Sequence, residues 1–97
     1  MPAADRMPFH GIFVSNVRYG GDLAGVFEQE GPSAYFYLYD LTRAEGDKAV
    51  RQLRIGYLPP DLQEEEVDVQ WDDDQTIVAL FIRKKLRAAF DVRSATA

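Results

Sequence analysis

Apolar and polar residues alternate along most of this chain, and a period of two residues is typical of β-strands that bury one face. In the clearest case, Val67, Val69 and Trp71 alternate with polar residues. The breaks between such segments hold residues that favour turns, as at Gly20-Gly21. The pattern therefore predicts short strands joined by short connections.

About seven strands follow from this pattern. They are rich in β-branched and aromatic residues, and they cover residues 9–19, 23–28, 33–41, 50–57, 67–71, 76–82 and 86–92. Strands of this length and spacing predict an all-β antiparallel meander, folded as a small sandwich or a partly open barrel. We expect residues 9–92 to form a single β domain between flexible ends at 1–8 and 93–97.

One segment leaves two interpretations open. Leu53 and Ile55 alternate with their neighbours, which favours a strand over 50–57. Asp47 could instead cap a short helix near 47–54, and the fold would then be α+β. A helix of two turns is marginal without strong packing, so we prefer the strand.

The segment 76–82 is apolar on both faces, which indicates a central strand. A single flat sheet would leave Val78, Leu80 and Ile82 in water, so the sheet must fold on itself or be covered by a partner. The last strand is predicted to alternate as well, with one face made of Leu86, Ala88, Phe90 and Val92.

Composition excludes several classes of protein. The 97 residues include no cysteine, so disulfide frameworks, thiolate metal sites and cysteine nucleophiles are excluded. No run of about 18 apolar residues is present, and we expect no membrane partner. Residues 1–8 do not resemble a secretory signal, so we expect a cytoplasmic protein. The net charge of −5 disfavours nucleic acid as a partner, because nonspecific binding needs a basic surface.

Eight acidic residues fall between Asp61 and Asp74, with no basic residue among them. Ca²⁺ and Mg²⁺ bind clusters of carboxylate oxygens, so a metal site is one interpretation. The ordered spacing of a calcium loop is missing, and Asp73 and Asp74 lie in a predicted turn. We therefore interpret the cluster as a solvated loop and turn, and we predict no metal site.

The other candidates for chemistry lack suitable partners. His10, the only histidine, would need Asp22 or Glu28 within hydrogen-bonding reach for acid–base catalysis, and it lies at the start of the first strand. The glycine-rich segment 20–25 leads into a strand, so no helix N-terminus is available for a phosphate. The basic patch formed by residues 83–85 with Arg87 and Arg93 lacks the stacking aromatic residues of a nucleic-acid site. We predict no catalytic residue and no cofactor.

The predicted third strand carries three tyrosines on one face, Tyr35, Tyr37 and Tyr39, and apolar residues on the other. Two interpretations stay open. The tyrosines fill a core and reach water with their hydroxyl groups, or they form a platform for a partner protein, a second copy of the chain or a ligand. We assign partner binding to these three residues, because so short a chain has little volume to enclose them.

Two stretches of the chain are similar to a known family. The first comprises Gly25-Val26-Phe27-Glu28, Gly31 and Ala34-Tyr35-Phe36-Tyr37-Leu38-Tyr39-Asp40. The second comprises Val67-Asp68-Val69-Gln70-Trp71, Asp74, Val78-Ala79-Leu80-Phe81-Ile82 and Ala89-Phe90-Asp91. Together they resemble an uncharacterised family of small bacterial proteins, classed as a domain of unknown function, over residues 11–92. The resemblance implies a fold and supplies no catalytic residue.

This chain departs from the family pattern at the acidic turn. Gln75 stands where the family normally has glycine. A glutamine at positive φ is costly, so the departure argues against a strict type I′ turn.

These observations favour a non-enzymatic protein-interaction module from bacteria. The expected partner is another protein or, in a homodimer, a second copy of the chain. The alternative is a small-ligand-binding β-barrel or a minor enzyme, with a tyrosine-lined pocket near His10 and Glu28.

Overall fold

The computed structural model describes residues 11–44 and 46–94, which form two antiparallel sheets packed face to face. The strands described are β1 (Ile12–Val17), β2 (Leu23–Glu30), β3 (Ser33–Asp40), β4 (Ala49–Arg54), β5 (Val67–Trp71), β6 (Ile77–Ile82) and β7 (Lys85–Asp91). The larger sheet has the order β1-β2-β3-β4, and the smaller sheet has the order β5-β6-β7. The prediction of an all-β antiparallel meander is confirmed, and the two sheets form a sandwich that does not close into a barrel.

The segment that left two interpretations open is a strand. β4 pairs with β3, so the alternative helix near 47–54 is wrong. Pairing satisfies the backbone groups on the free edge of β3, which a two-turn helix would leave without partners. Most of the predicted flexible ends, at 1–8 and 93–97, lie outside the described residues, so that prediction stays open.

The core lies between the inner faces of the two sheets. Phe27 and Phe36 of the larger sheet are fully buried in one cluster with Val78 and Leu80 of the smaller sheet. Phe36 also stacks on Phe90, with 5.2 Å between ring centroids. The predicted need to cover the apolar face of β6 is therefore confirmed, and the larger sheet covers it.

Gly25 allows the two sheets to approach each other. It lies on the inner face of β2, where it pairs with Leu38. A Cβ atom built on Gly25 would lie 2.5 Å from Cγ2 of Val78 and 2.9 Å from Cγ1 of Val69. Both distances are far below the roughly 3.5–4.0 Å of carbon–carbon contact, so a side chain here would force the sheets apart.

One long side of the sandwich is closed by contacts between β1 and β5. The Asn16 side-chain amide donates to the Val69 carbonyl oxygen at 2.8 Å, and Trp71 Nε1 donates to the Asn16 carbonyl oxygen at 2.9 Å. Arg18 extends the contact by donating to the Gln75 carbonyl oxygen at 2.6 Å. These bonds hold an edge of the larger sheet against an edge of the smaller one.

The opposite side of the sandwich is open. Among the described residues, no backbone hydrogen bond joins β4 to β7. Side chains span the opening instead: Arg51 lies over the Phe90 ring, 5.9 Å from its centroid, and Arg87 donates to the Tyr57 carbonyl oxygen at 2.7 Å. The smaller sheet is one strand narrower, so Leu53 on the inner face of β4 stays 42% exposed.

A β-bulge in β7 changes the predicted alternation. Leu86 pairs with Phe81 and Ala88 pairs with Leu80, which leaves Arg87 as an extra residue between them. Leu86 is therefore turned to the outer face and is 62% exposed. The prediction that Leu86 shares a face with Ala88 is wrong, because a strict two-residue alternation assumes that the strand has no inserted residue.

Gln75 adopts a positive φ of 60°, the conformation that is costly for glutamine. Its side chain accepts a hydrogen bond from the Tyr19 backbone N–H at 2.8 Å and donates to the Asp72 carbonyl oxygen at 3.1 Å. A glycine could not make these bonds. They offset the strain of the left-handed conformation and join two turns of the sandwich.

We expect Gly25→Ala to lower the free energy of unfolding by about 1–3 kcal/mol, the usual cost of overpacking a core. Gly56→Ala is the control, because nothing lies within 4 Å of a Cβ built at Gly56. Removing the clashing methyl groups with Val78→Ala should recover part of the loss, so the double variant should be more stable than additive costs predict. Urea unfolding measures the wild type and the four variants. Equal costs at the two glycines, or strict additivity with Val78→Ala, would contradict this account.

Candidate functional site

The three tyrosines lie together on the outer face of the larger sheet. Alternation along β3 directs Phe36 and Leu38 into the core and turns Tyr35, Tyr37 and Tyr39 away from it. Each of the three is half-buried. The tyrosines therefore do not fill the core between the sheets, and their hydroxyl-bearing side is available at the surface.

Strand pairing supplies the neighbours of the tyrosines. Residues directly opposite each other on adjacent antiparallel strands share a face. The register gives three rows across the larger sheet: Phe13, Glu28, Tyr35 and Arg54; Ser15, Val26, Tyr37 and Gln52; and Val17, Ala24, Tyr39 and Ala49. We refer to these positions as the tyrosine face.

The aromatic rings form a continuous column along β3. Tyr35 stacks on Tyr37 with 5.9 Å between centroids, and Tyr37 meets Tyr39 edge-on at 5.6 Å. Burial raises the pKa of the Tyr37 hydroxyl, and the negative charge of Glu28 and the neighbouring tyrosines raise it further. The Tyr37 hydroxyl is therefore neutral at physiological pH and can donate a hydrogen bond to a partner.

The tyrosine face combines apolar surface with balanced charge. Phe13 is 58% exposed at one edge, and Val17 is exposed on the same strand. Glu28 and Arg54 lie on either side of Tyr35. Within the described part of the chain, neither of these charged residues forms an ion pair, so both can meet a partner.

Arg83, in the predicted basic patch, binds the acidic loop. Its guanidinium group pairs with Asp61 at 3.0 Å and with Glu66 at 3.2 Å. Sequence reasoning missed this contact. It follows from the β5–β6 hairpin, which brings the residue after β6 beside the residue before β5. Among residues 11–44 and 46–94, no three acidic or histidine side chains converge to hold a metal ion.

Asp72 has a role in the turn between β5 and β6. Its carboxylate accepts hydrogen bonds from the backbone N–H groups of Ile77 at 3.1 Å and Thr76 at 2.9 Å. These hydrogen bonds, chiefly the one from Ile77, hold the pKa of the Asp72 carboxyl below its ordinary value. The carboxylate therefore stabilises the turn and is not directed outward towards a cation.

A cleft of about 590 Å³ lies where the start of β1 meets the β2–β3 turn and the loop before β5. Its lining includes Ile12, Pro32, Pro59 and Glu65, and it includes none of the three tyrosines. The cleft is therefore not the tyrosine-lined pocket of the alternative hypothesis. His10, which that hypothesis places near the pocket, lies outside the described residues.

Comparison with known proteins gives the family of this chain. Residues 9–97 match DUF2251, a family of uncharacterized proteins conserved in bacteria. The chain belongs to the DUF2251 family. The predicted resemblance to an uncharacterised bacterial family is thus confirmed. No curated protein and no solved structure matches the DUF2251 chain.

The described part of this DUF2251 protein contains no helix with the length and apolar character needed to cross a membrane.

We expect the stability of the protein to fall on acidification, in part through Asp72. Folding lowers the pKa of Asp72. The stability that Asp72 contributes is therefore fully present above the pKa of an aspartate in the unfolded chain, about 3.9, and is lost as the pH falls through the lower pKa of the folded state. Asp72→Asn should therefore lose less stability than the wild type between pH 5 and about pH 2. Thermal unfolding across this range measures the effect.

Asp73→Asn is the matched control for Asp72→Asn. Asp73 is exposed and makes no hydrogen bond or ion pair among the described residues. The stability of Asp73→Asn should therefore change with pH in the same way as that of the wild type. Identical acid profiles for Asp72→Asn and Asp73→Asn would show that the hydrogen bonds of Asp72 do not contribute.

Proposed function

We propose that this DUF2251 protein is a non-enzymatic interaction module that binds through the tyrosine face, and that its partner there is a second copy of the chain. One observation carries the proposal: a continuous column of half-buried tyrosines lies on a sheet face that the core does not use. Tyrosine is enriched at interfaces, because its ring supplies contact area while its hydroxyl stays hydrated before binding. A cytoplasmic location and the absence of nucleic-acid partners, expected from the sequence, are part of the proposal.

The larger sheet offers enough area for a small interface. Four strands spaced by about 4.8 Å, with about six residues each rising by roughly 3.3 Å, give a footprint of roughly 20 by 20 Å. Apolar patches of about 300–600 Å² on monomers are often functional. An interface of this size lies at the low end for specific complexes, so we expect a weak dimer.

Charge favours a second copy as the partner. Glu28 on β2 and Arg54 on β4 flank Tyr35 in the same row. A twofold axis along β3 exchanges the positions of β2 and β4, so Glu28 of one copy faces Arg54 of the other. The face is neutral in a chain whose net charge is −5, so two copies can meet here without the repulsion that acidic surfaces would cause.

The alternative of a small-ligand barrel or a minor enzyme has less support from the geometry. A ligand pocket encloses most of its ligand. The two sheets do not close into a barrel, and the tyrosines lie on an open sheet face. An extended contact with another sheet fits such a face better than an enclosed small molecule does.

We expect Tyr37→Glu to weaken dimerisation by at least about tenfold, because it removes a central aromatic contact and places a charge in the interface. Tyr19→Glu is the matched control, since Tyr19 is 86% exposed and lies on a turn outside the tyrosine face. Sedimentation velocity over a concentration series measures association, and circular dichroism checks the fold. A wild-type protein that stays monomeric at millimolar concentration, or unfolding of Tyr37→Glu, would contradict the proposal.

Exchange of charges tests the twofold arrangement directly. Glu28→Arg and Arg54→Glu should each weaken self-association, because each places like charges opposite each other across the axis. Mixing the two single variants should restore association as a heterodimer, since both contacts then join opposite charges. The double variant should also self-associate. If the mixture associates no better than either variant alone, the proposed axis is wrong even if Tyr37→Glu weakens the dimer.

A further inference from the structure

The basic side chains of the described residues fall into two groups, according to whether they pair with a carboxylate. Within the described residues, the arginines that pair with a carboxylate are Arg18, Arg43, Arg83 and Arg93. The basic residues without a carboxylate partner lie on or beside the edge strands β4 and β7, and they are Lys48, Arg51, Arg54, Lys84, Lys85 and Arg87. No acidic residue occurs in 48–60 or 75–90, although the chain has 16 acidic residues. Basic residues therefore predominate on the open side of the sandwich: Arg54 faces outward, and Asp91, the acidic residue at the end of β7, pairs with Arg93.

The same side of the sandwich lacks one strand. The larger sheet has four strands and the smaller sheet has three, and β7 is the edge of the smaller sheet on the open side. A strand added to β7 would lie over the inner face of β4. It would cover Leu53, which is 42% exposed although it lies on that inner face.

We propose that β7 pairs with an extended, acidic segment of a partner protein, which becomes the fourth strand of the smaller sheet. Among the described residues, no strand pairs with the edge of residues 85–90 that faces away from β6, and the N–H and C=O groups on this edge would form the ladder, as in other complexes made by strand addition. Alternate side chains of the added strand would point between the sheets. There they would meet the guanidinium groups of Arg51 and Arg87, which span the opening and pair with no carboxylate of the described residues.

Chemistry defines the sequence that fits. Arginine binds carboxylates through two parallel hydrogen bonds, so acidic residues suit the inward positions of the added strand. The outward positions would lie beside Leu86, which is 62% exposed, and Ala89 on the outer face of β7. Apolar residues suit these positions. The partner segment therefore alternates acidic and apolar residues.

This site is distinct from the tyrosine face. Arg51 and Arg54 lie on the same strand, but Arg51 pairs with Leu38 on the inner face and Arg54 pairs with Tyr35 on the outer face. Charged edge strands also prevent edge-to-edge aggregation. That role requires no partner strand, so it predicts that no acidic peptide binds.

The probe is a fluorescein-labelled ten-residue peptide of alternating glutamate and valine. The full chain is titrated into the peptide, and binding is followed by fluorescence anisotropy. The salt concentration is about 0.15 M, at which exposed charges are screened beyond about 8 Å. We expect saturable binding that falls at least about tenfold in Arg51→Glu/Arg87→Glu, the size of change expected when buried charge pairs are reversed. Arg43→Glu, compared with Arg51→Glu alone, is the matched control, because it makes the same charge change on the loop between β3 and β4, outside both proposed surfaces. It should leave peptide binding within about twofold of the wild type, since it lies outside the site.

Two further measurements decide whether the peptide forms a strand on β7. A peptide with the same composition but separate blocks of glutamate and valine should bind more weakly, because it cannot present acidic residues on one face. Hydrogen–deuterium exchange should show new protection in β7 when the alternating peptide binds. The proposal is overturned if the peptide does not bind at millimolar concentration, if both peptides bind equally, or if protection appears elsewhere than in β7.

Discussion

The close contact between the two sheets at Gly25 is the constraint on which the rest of the structure depends. The missing side chain admits Val69 and Val78 from the smaller sheet, and the phenyl rings of Phe27 and Phe36, the next inward-facing pair along β2 and β3, are buried beside this contact. Once these inner faces are buried, the alternation of side chains along each strand leaves its other face at the surface. The exposure of the tyrosine column is therefore a consequence of how the core is packed.

The unequal width of the sheets gives the sandwich two different sides. On one side, Asn16 and Trp71 join β1 to β5 through hydrogen bonds that involve both backbone and side chains. On the other side, a three-stranded sheet faces a four-stranded one, and within residues 11–44 and 46–94 long side chains such as that of Arg51 reach across in place of backbone hydrogen bonds. A sandwich built this way has one edge that its own chain protects and one edge that is open to another strand.

Alternation in the sequence was sufficient to predict the strands and to place Tyr35, Tyr37 and Tyr39 together, because both follow from the local geometry of a strand. It could not show which face of β3 is buried, since that depends on pairing with strands far along the chain. The inserted residue in β7, which turns Leu86 outward, has no signature in a period of two. The pairing of Arg83 with the acidic loop likewise required the hairpin register.

Charge and topology together separate the two proposed binding surfaces. Several carboxylates bind groups close to them in the chain: Asp72 accepts a hydrogen bond from the Thr76 backbone N–H, and Asp22 pairs with Arg18. In the part of the chain that the structure describes, the basic side chains without a carboxylate partner lie on or beside β4 and β7. Because β4 directs Arg51 inward and Arg54 outward, one strand contributes to both surfaces without bringing them into contact. A dimer formed through the tyrosine face therefore leaves the open edge of each copy accessible, and the assembly would present two acidic-strand sites related by the same twofold axis.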